Sequence, residues 1–94
     1  MEDARQVVRL FKALSSETRV RILQLLKERA LCVGALAARL GVSSAAVSQH
    51  LRILRNADLV LPQKHGYYVH YRMNQEALHK WRQVADGLFS AEGK

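Results

Sequence analysis

Gly41-Val42-Ser43-Ser44-Ala45-Ala46-Val47-Ser48-Gln49-His50-Leu51-Arg52-Ile53-Leu54-Arg55 is the stretch whose reading decides the fold. Just before it, Val33, Leu36, Ala37 and Leu40 recur at helical spacing, and a glycine past such a run can take the left-handed conformation that ends a helix. Two residues later, the Ser43 hydroxyl can accept a hydrogen bond from an amide in the first turn of a new helix, where the N–H groups lack helical partners. On that second helix Val47, Leu51 and Leu54 fall at i, i+4, i+7 and predict one buried stripe. Ala45, Ser48, Gln49 and Arg52 fall on the opposite side. That outer face is small, polar and finally cationic, which suits a helix entering a major groove about 12 Å wide and reading base edges. A helix, a tight Gly turn and a polar-faced second helix make the helix-turn-helix pattern.

The composition agrees with a small binder of a polyanion. Fifteen Lys and Arg stand against eight Asp and Glu, a formal charge of +7, and such a balance favours nucleic acid or an acidic membrane surface. From Arg39 to Arg72 there are five cations, Arg39, Arg52, Arg55, Lys64 and Arg72, against one acid, Asp58, so +4 of the +7 overlaps the helix-turn-helix stretch. The 94 residues, 49% hydrophobic, predict a single domain over 1–94 with modest stability unless subunits pair, hence a dimer. No internal repeat or Pro/Gly-rich linker marks a second domain. No apolar run approaches the roughly 18 residues of a membrane span, and Met1-Glu2-Asp3 opens an acidic amphipathic segment rather than a basic leader. One cysteine, Cys32, excludes an intrachain disulfide and fits a reducing compartment. The expectation is a cytoplasmic protein.

Working outward toward the N-terminus, Val7, Leu10, Phe11 and Leu14 predict a first amphipathic helix over Asp3 to Leu14, with Arg5, Arg9 and Lys12 directed elsewhere. Ser15-Ser16 offers a cap, and Glu17 follows in the next first turn, where a carboxylate complements the helix dipole. Ile22, Leu23 and Leu26 give the second helix its core face, and the third spans about Val33 to Leu40. Toward the C-terminus, Asn56-Ala57-Asp58 is a polar break, and Leu59-Val60-Leu61 reads as a short strand. Pro62, which cannot donate to a ladder, is expected at the strand's end, with Gln63-Lys64-His65-Gly66 as the hairpin loop. Tyr67 to Arg72 alternates as a second strand, completing a two-stranded wing. Asn74 then caps a last helix, Gln75 to Ser90, whose Leu78, Trp81, Ala85 and Leu88 form a stripe. The predicted fold is mainly α with a small β-hairpin, a winged helix-turn-helix in the order α-α-α-α-β-β-α.

The stripe on the last helix needs a cover. Either it packs within the chain, or it forms a subunit interface with Val7 and Phe11 of the first helix. The small size of the domain and the two-fold arrangement that sets paired recognition helices in successive grooves favour the interface, with residues 1–14 and 75–90 as dimerisation helices.

In its motifs the chain resembles the ArsR/SmtB family of winged-helix repressors, over about Leu10 to Tyr71. The matching residues are Ala13-Leu14-Ser15-Ser16-Glu17-Thr18-Arg19, Ile22-Leu23, Leu31-Cys32-Val33, Leu36-Ala37, Val47-Ser48-Gln49-His50-Leu51, Leu54, Leu59-Val60 and Gly66 to Tyr71. The resemblance implies a homodimer built on the first and last helices, repression by occupying double-stranded operator DNA, and release by an inducer, often a metal ion or metalloid. It also implies that Ser44, Ala45, Ser48 and Gln49 face the major groove, with His50 and Arg52 near the backbone and Lys64, His65 and Tyr67 at the wing tip. The residue chemistry agrees for Ser48, Gln49 and Arg52, since Gln can bond bidentately to adenine and Arg to phosphate or guanine. His50 flanks the buried stripe, so a capping or packing role stands beside a DNA contact.

The metal-sensing half of the family pattern is mostly missing. Where an arsenic-type site has Cys-Val-Cys, this chain has Cys32-Val33-Gly34, and one thiolate per chain cannot supply the sulfurs a soft ion requires. The family's last-helix site would rest here on His79 and Asp86, with Glu92 beyond, a weak N/O set that also reads as solvated helix residues. Cys32 reads as a half-buried small hydrophobe, the alternative being a reactive thiol at a helix start without a second thiol to close a bridge. No metal site and no cofactor is expected, and the inducer is not written in the residues. With no Gly-rich phosphate loop, no paired carboxylates and no nucleophile set outside the groove-facing helix, an enzyme is not expected either. Two functions compete: a sequence-specific transcriptional regulator, and a winged helix serving as a protein-interaction module or nonspecific DNA binder. The face at Ser48, Gln49 and Arg52 favours the first.

Overall fold

The computed structural model describes residues 4–90. Its elements are α1 (Ala4–Ala13), α2 (Glu17–Leu26), β1 (Leu31–Cys32), α3 (Val33–Leu40), α4 (Ser44–Asn56), β2 (Val60–His65), β3 (Tyr68–Met73) and α5 (Gln75–Phe89). The expected helix start at Asp3, the opening Met1-Glu2-Asp3 and Glu92 lie outside the described residues.

The helix boundaries follow from side-chain caps. Ser16, Ser43 and Asn74 each hold extended backbone, and their side-chain oxygens accept from Arg19 N (3.2 Å), Ala46 N (3.1 Å) and Ala77 N (3.2 Å). Each bond satisfies an amide that the helix itself leaves unpaired, and removing such a cap costs about 1 kcal/mol. Gly41 ends α3 at φ +70°, and its N–H and that of Val42 both donate to Ala37 O at 2.9 and 3.2 Å. A Cβ there would meet nothing within 4 Å, so the left-handed backbone, not a close approach, is what requires glycine. α4 ends in a turn with Asp58 at φ +62°, a conformation that Asp tolerates better than most residues.

Two expectations about the wing are corrected. The sheet has three strands in the order β1-β3-β2, not two, because Leu31 and Cys32 pair antiparallel with Tyr71 and His70 along the second edge of β3. A strand of two residues is too short to carry an alternation, so nothing in its sequence sets it apart from a loop. Pro62 lies inside β2 opposite Tyr71, and the strand runs on to His65, which pairs with Tyr68. β2 is an edge strand, where a residue without an N–H is tolerated. The hairpin loop is therefore only Gly66-Tyr67. Gly66 has φ +61° and Tyr67 has no positive φ, the pattern of a two-residue turn with glycine first.

One apolar cluster joins α1 through Leu10 and Ala13, α2 through Ile22, Leu23 and Leu26, α3 through Leu36, and α4 through Val47, Leu51 and Leu54, closed by Leu31, Leu59, Val60 and Met73. Val47, Leu51 and Leu54 are 0%, 2% and 0% exposed, so the inner stripe of α4 is fixed by packing on three sides. Ala57 is buried too, within what the sequence presents as a polar break. α5 has no buried residue of its own. Its Leu78 and Trp81 lean half-buried against the core. The described chain is elongated, 48 × 24 × 21 Å.

Candidate nucleic-acid interface

Burying Val47, Leu51 and Leu54 turns the other side of α4 outward, because residues three and four apart share a helix face. Ser44, Ala45, Ser48, Gln49 and Arg52 are all exposed on it. Near the Ser43 cap these side chains are short, so a base edge can come close to the helix, while Gln49 and Arg52 are long enough to reach into a groove. Among the described residues no buried polar or charged side chain lies beneath this face, so the helix rests on an entirely apolar base.

The wing supplies a second exposed group. Lys64 and His65 end β2, and Tyr67 stands wholly exposed in the turn, with Tyr68 also mostly exposed. An aromatic side chain held fully in water gains nothing for folding, so Tyr67 is not placed there by the core. Arg39, Arg52, Arg55, Lys64 and Arg72 are exposed, and across 39–72 the single acid is Asp58. A surface of this sign attracts phosphates from a distance and gives salt-dependent affinity.

His50 is half-buried at the flank of α4, and its Nδ1 lies 3.3 Å from Nη1 of Arg19. A guanidinium has only donors, so Nδ1 accepts and the ring proton of the neutral imidazole is carried on Nε2. The same Arg19 donates through Nε to Ala13 O at 2.6 Å and through Nη2 to Lys12 O at 3.0 Å. One side chain thus ties the end of α1 and the start of α2 to the recognition helix. In the sequence Arg19 is one residue of the Ala13 to Arg19 motif, with no role of its own to be read there. Arg19 and His50 are 31 residues apart, and no spacing rule links them.

The residues expected at a subunit interface lie on two helices. On α1, Val7 is half-buried and Phe11 is 39% exposed; on α5, Leu78, Trp81 and Ala85 are half-buried and Leu88 is 55% exposed, next to Phe89 at 75%. Of the weak metal candidates, His79 and Asp86 are exposed on α5. Seven residues apart, they sit about 10 Å from each other along the axis, and among the described residues no group of three or more His, Cys, Asp or Glu is arranged to hold an ion. Cys32 is half-buried at the start of α3 and makes no side-chain cap. It pairs in register with His70, whose buried Nδ1 has no hydrogen-bond partner and whose ring centroid is 4.7 Å from that of His65. His70 is thus half-buried on the central strand of the sheet. Among the described residues no helix is long and apolar enough to cross a membrane.

Comparison with known proteins agrees with this geometry. Residues 16–61 match the model of the bacterial regulatory protein, arsR family. The chain is 38% identical over 89 residues to a transcriptional repressor SmtB homolog of Synechocystis, covering 94% of this chain and 67% of the relative. It is 44% identical over 68 residues to the arsenical resistance operon repressor of Escherichia coli, covering 71% of this chain and 58% of that protein. The solved structure of HlyU from Vibrio cholerae, a protein named as a transcriptional activator, superposes with a TM-score of 0.75 at 34% identity, over 95% of this chain and 98% of that one. The chain spans about three fifths to two thirds of the length of these first two relatives. Helix order, wing, capped recognition helix and these similarities lead to one assignment: the chain belongs to the ArsR/SmtB family of non-catalytic, winged helix-turn-helix, sequence-specific DNA-binding regulators.

Proposed function

We propose that the chain is a homodimeric repressor that occupies an inverted-repeat operator and is released by an inducer. The observation that carries this reading is the outer face of α4, where Ser44, Ala45, Ser48, Gln49 and Arg52 are exposed above a fully buried stripe. An interaction module or a nonspecific DNA coater has no use for a bidentate amide at the centre of that face, and large apolar groups would serve an interaction module better. Gln49 and Ser48 read base edges, Ser44 and Ala45 permit close approach, and Arg52 and His50 hold the backbone. Lys64, His65 and Tyr67 grip the flanking duplex from the wing. The names of the Synechocystis and Escherichia coli relatives support repression over activation.

Pairing is through Val7 and Phe11 of α1 and Leu78, Trp81, Ala85 and Leu88 of α5. Supporting this, α5 has no buried residue within the chain and ends in exposed Leu88 and Phe89. The whole of 1–94 acts as one DNA-binding domain in the cytoplasm, needs no cofactor, and does not use Cys32 or the pair His79 and Asp86 as a metal site. Footprinting on the promoter region next to its own gene, with affinity for that site and for random DNA measured at one salt concentration, tests the reading. A repressor should prefer its operator by about 10³ or more, with two protected half-sites about 10–11 bp apart or a multiple of that. Equal affinity for both DNAs refutes it.

A further inference from the structure

The register of the wing brings two histidines together on one face of the sheet. His65 pairs with Tyr68 and Gln63 pairs with His70, so His65 and His70 are diagonal neighbours across β2 and β3, and residues two apart along a strand share a face. Their ring centroids lie 4.7 Å apart at an interplanar angle of 54°. His70 is half-buried, and its buried Nδ1 has no hydrogen-bond partner. His65 is exposed and does not supply one. A pair placed here for ring contact alone leaves a buried polar atom unsatisfied, which costs stability. An unprotonated imidazole nitrogen takes two kinds of partner, a hydrogen-bond donor or a metal ion.

The ring separation suits the ion. A late transition metal sits about 2.0–2.1 Å from an imidazole nitrogen, and so about 3.2 Å from the ring centre. Two rings held on one such ion at about 90–110° have centroids roughly 4.5–5.2 Å apart, and the observed 4.7 Å lies in that interval. The strands need not move, because the exposed His65 ring can turn about its side-chain bonds. The donors also select the metal. From Leu59 to Met73 the chain has no Asp or Glu, so hard ions such as magnesium and calcium find no carboxylate here. Imidazole suits copper, nickel and zinc, with copper held most tightly of the three. Arg72 lies on the same face with its Nη1 bonded to Met73 O, and its charge and that of Lys64 oppose a dication, so a dissociation constant on the order of micromolar is expected.

We propose that His65 and His70 form a two-imidazole site for a copper(II), nickel(II) or zinc ion, with water in the remaining positions, and that the ion pins β2 to β3 beside the Gly66-Tyr67 turn. The site is separate from Cys32 and from His79 and Asp86 on α5. Ion binding there requires none of the DNA contacts proposed above.

Calorimetric titration of nickel chloride into the full chain, without DNA and in a buffer that does not chelate, tests the site. One ion per chain is expected, with zinc also binding and magnesium not. Copper(II) is titrated into the Cys32→Ser chain, which has no thiol to reduce it, and should bind more tightly than nickel. His65→Gln and His70→Gln should each weaken nickel at least about tenfold, the loss of one ligand of two. His65 is exposed, so its variant leaves the core intact and decides the matter alone if circular dichroism shows that His70→Gln unfolds. His79→Gln and Cys32→Ser should leave nickel binding unchanged. Electron paramagnetic resonance of the copper complex should show coupling to two nitrogens. Hydrogen exchange of the β2 and β3 amides should slow with nickel in the parent chain and not in His65→Gln. Nickel binding that survives His65→Gln, that disappears in His79→Gln or Cys32→Ser, or that magnesium matches would overturn the site, as would copper coupled to a single nitrogen. Unchanged exchange at saturating nickel would overturn the pinning of the wing.

Discussion

Replacing Arg19 should damage both the fold and the DNA site, and Lys should not rescue it. The side chain makes three hydrogen bonds, to Ala13 O at 2.6 Å, Lys12 O at 3.0 Å and His50 Nδ1 at 3.3 Å. Two of them end on the last carbonyls of α1, where the negative end of the helix dipole adds to the attraction for a cation. A buried charge-assisted bond contributes about 1.5–3 kcal/mol, but Arg19 is only half-buried and water can replace part of each contact, so about 0.5–1 kcal/mol apiece is the fair figure. Arg19→Ala should then lose about 2 kcal/mol, which lowers the urea midpoint by about 1–2 M for a chain with an m-value near 1–2 kcal/mol/M. Urea unfolding followed by circular dichroism at several protein concentrations separates this loss from any change in pairing. Arg19→Lys keeps the charge but not the planar fork that reaches three acceptors at once, so it should recover less than half of the loss. In both variants His50 is untethered and affinity for DNA falls. A loss below about 0.5 kcal/mol for Arg19→Ala, or full rescue by lysine, would refute the idea that geometry rather than charge makes this contact.

Gln49→Ala should cost about 1–3 kcal/mol on the operator and little on random DNA; equal weakening on both, read by fluorescence anisotropy, would move Gln49 to the backbone. Arg52→Ala or Lys64→Ala should instead weaken all sequences and lower the log–log salt slope by about one, and an unchanged slope would place that residue off the DNA. Leu88→Arg or Trp81→Glu should give a folded, largely monomeric protein with weak operator binding, because an unpaired charge would enter an apolar interface. A full dimer by sedimentation would send the pairing surface elsewhere. Cys32→Ser should bind operator normally, and arsenite, cadmium or lead should not release the parent chain at stoichiometric levels, since Gly34 has no side chain to supply a second sulfur. Release by one equivalent of arsenite that vanishes in Cys32→Ser would contradict this, and zinc-driven release lost in His79→Ala would restore a site on α5.

Most of the helical framework was legible in the residues themselves because its causes are local. Ser16, Ser43 and Asn74 cap helices through bonds to amides three positions on, Gly41 ends one through its own φ, and the stripe of Val47, Leu51 and Leu54 repeats within two turns. From that stripe the exposed face carrying Ser48, Gln49 and Arg52 follows by helical geometry alone. The features that the sequence did not reveal depend on residues meeting across the chain. Leu31 and Cys32 become a strand only because an edge of β3 is there to pair with, and Pro62 sits inside β2 only because that strand has no neighbour on its far side. Arg19 reaches His50 across 31 residues, and the cations of α1 face Ile53 of α4 across a cleft that no periodicity encodes. A periodic pattern reports which face of an element is apolar, and contains nothing about which other element that face, or its polar opposite, will stand beside. That choice was made by the packing of the whole core, so the recognition face could be read from the sequence and its tether to α1 could not.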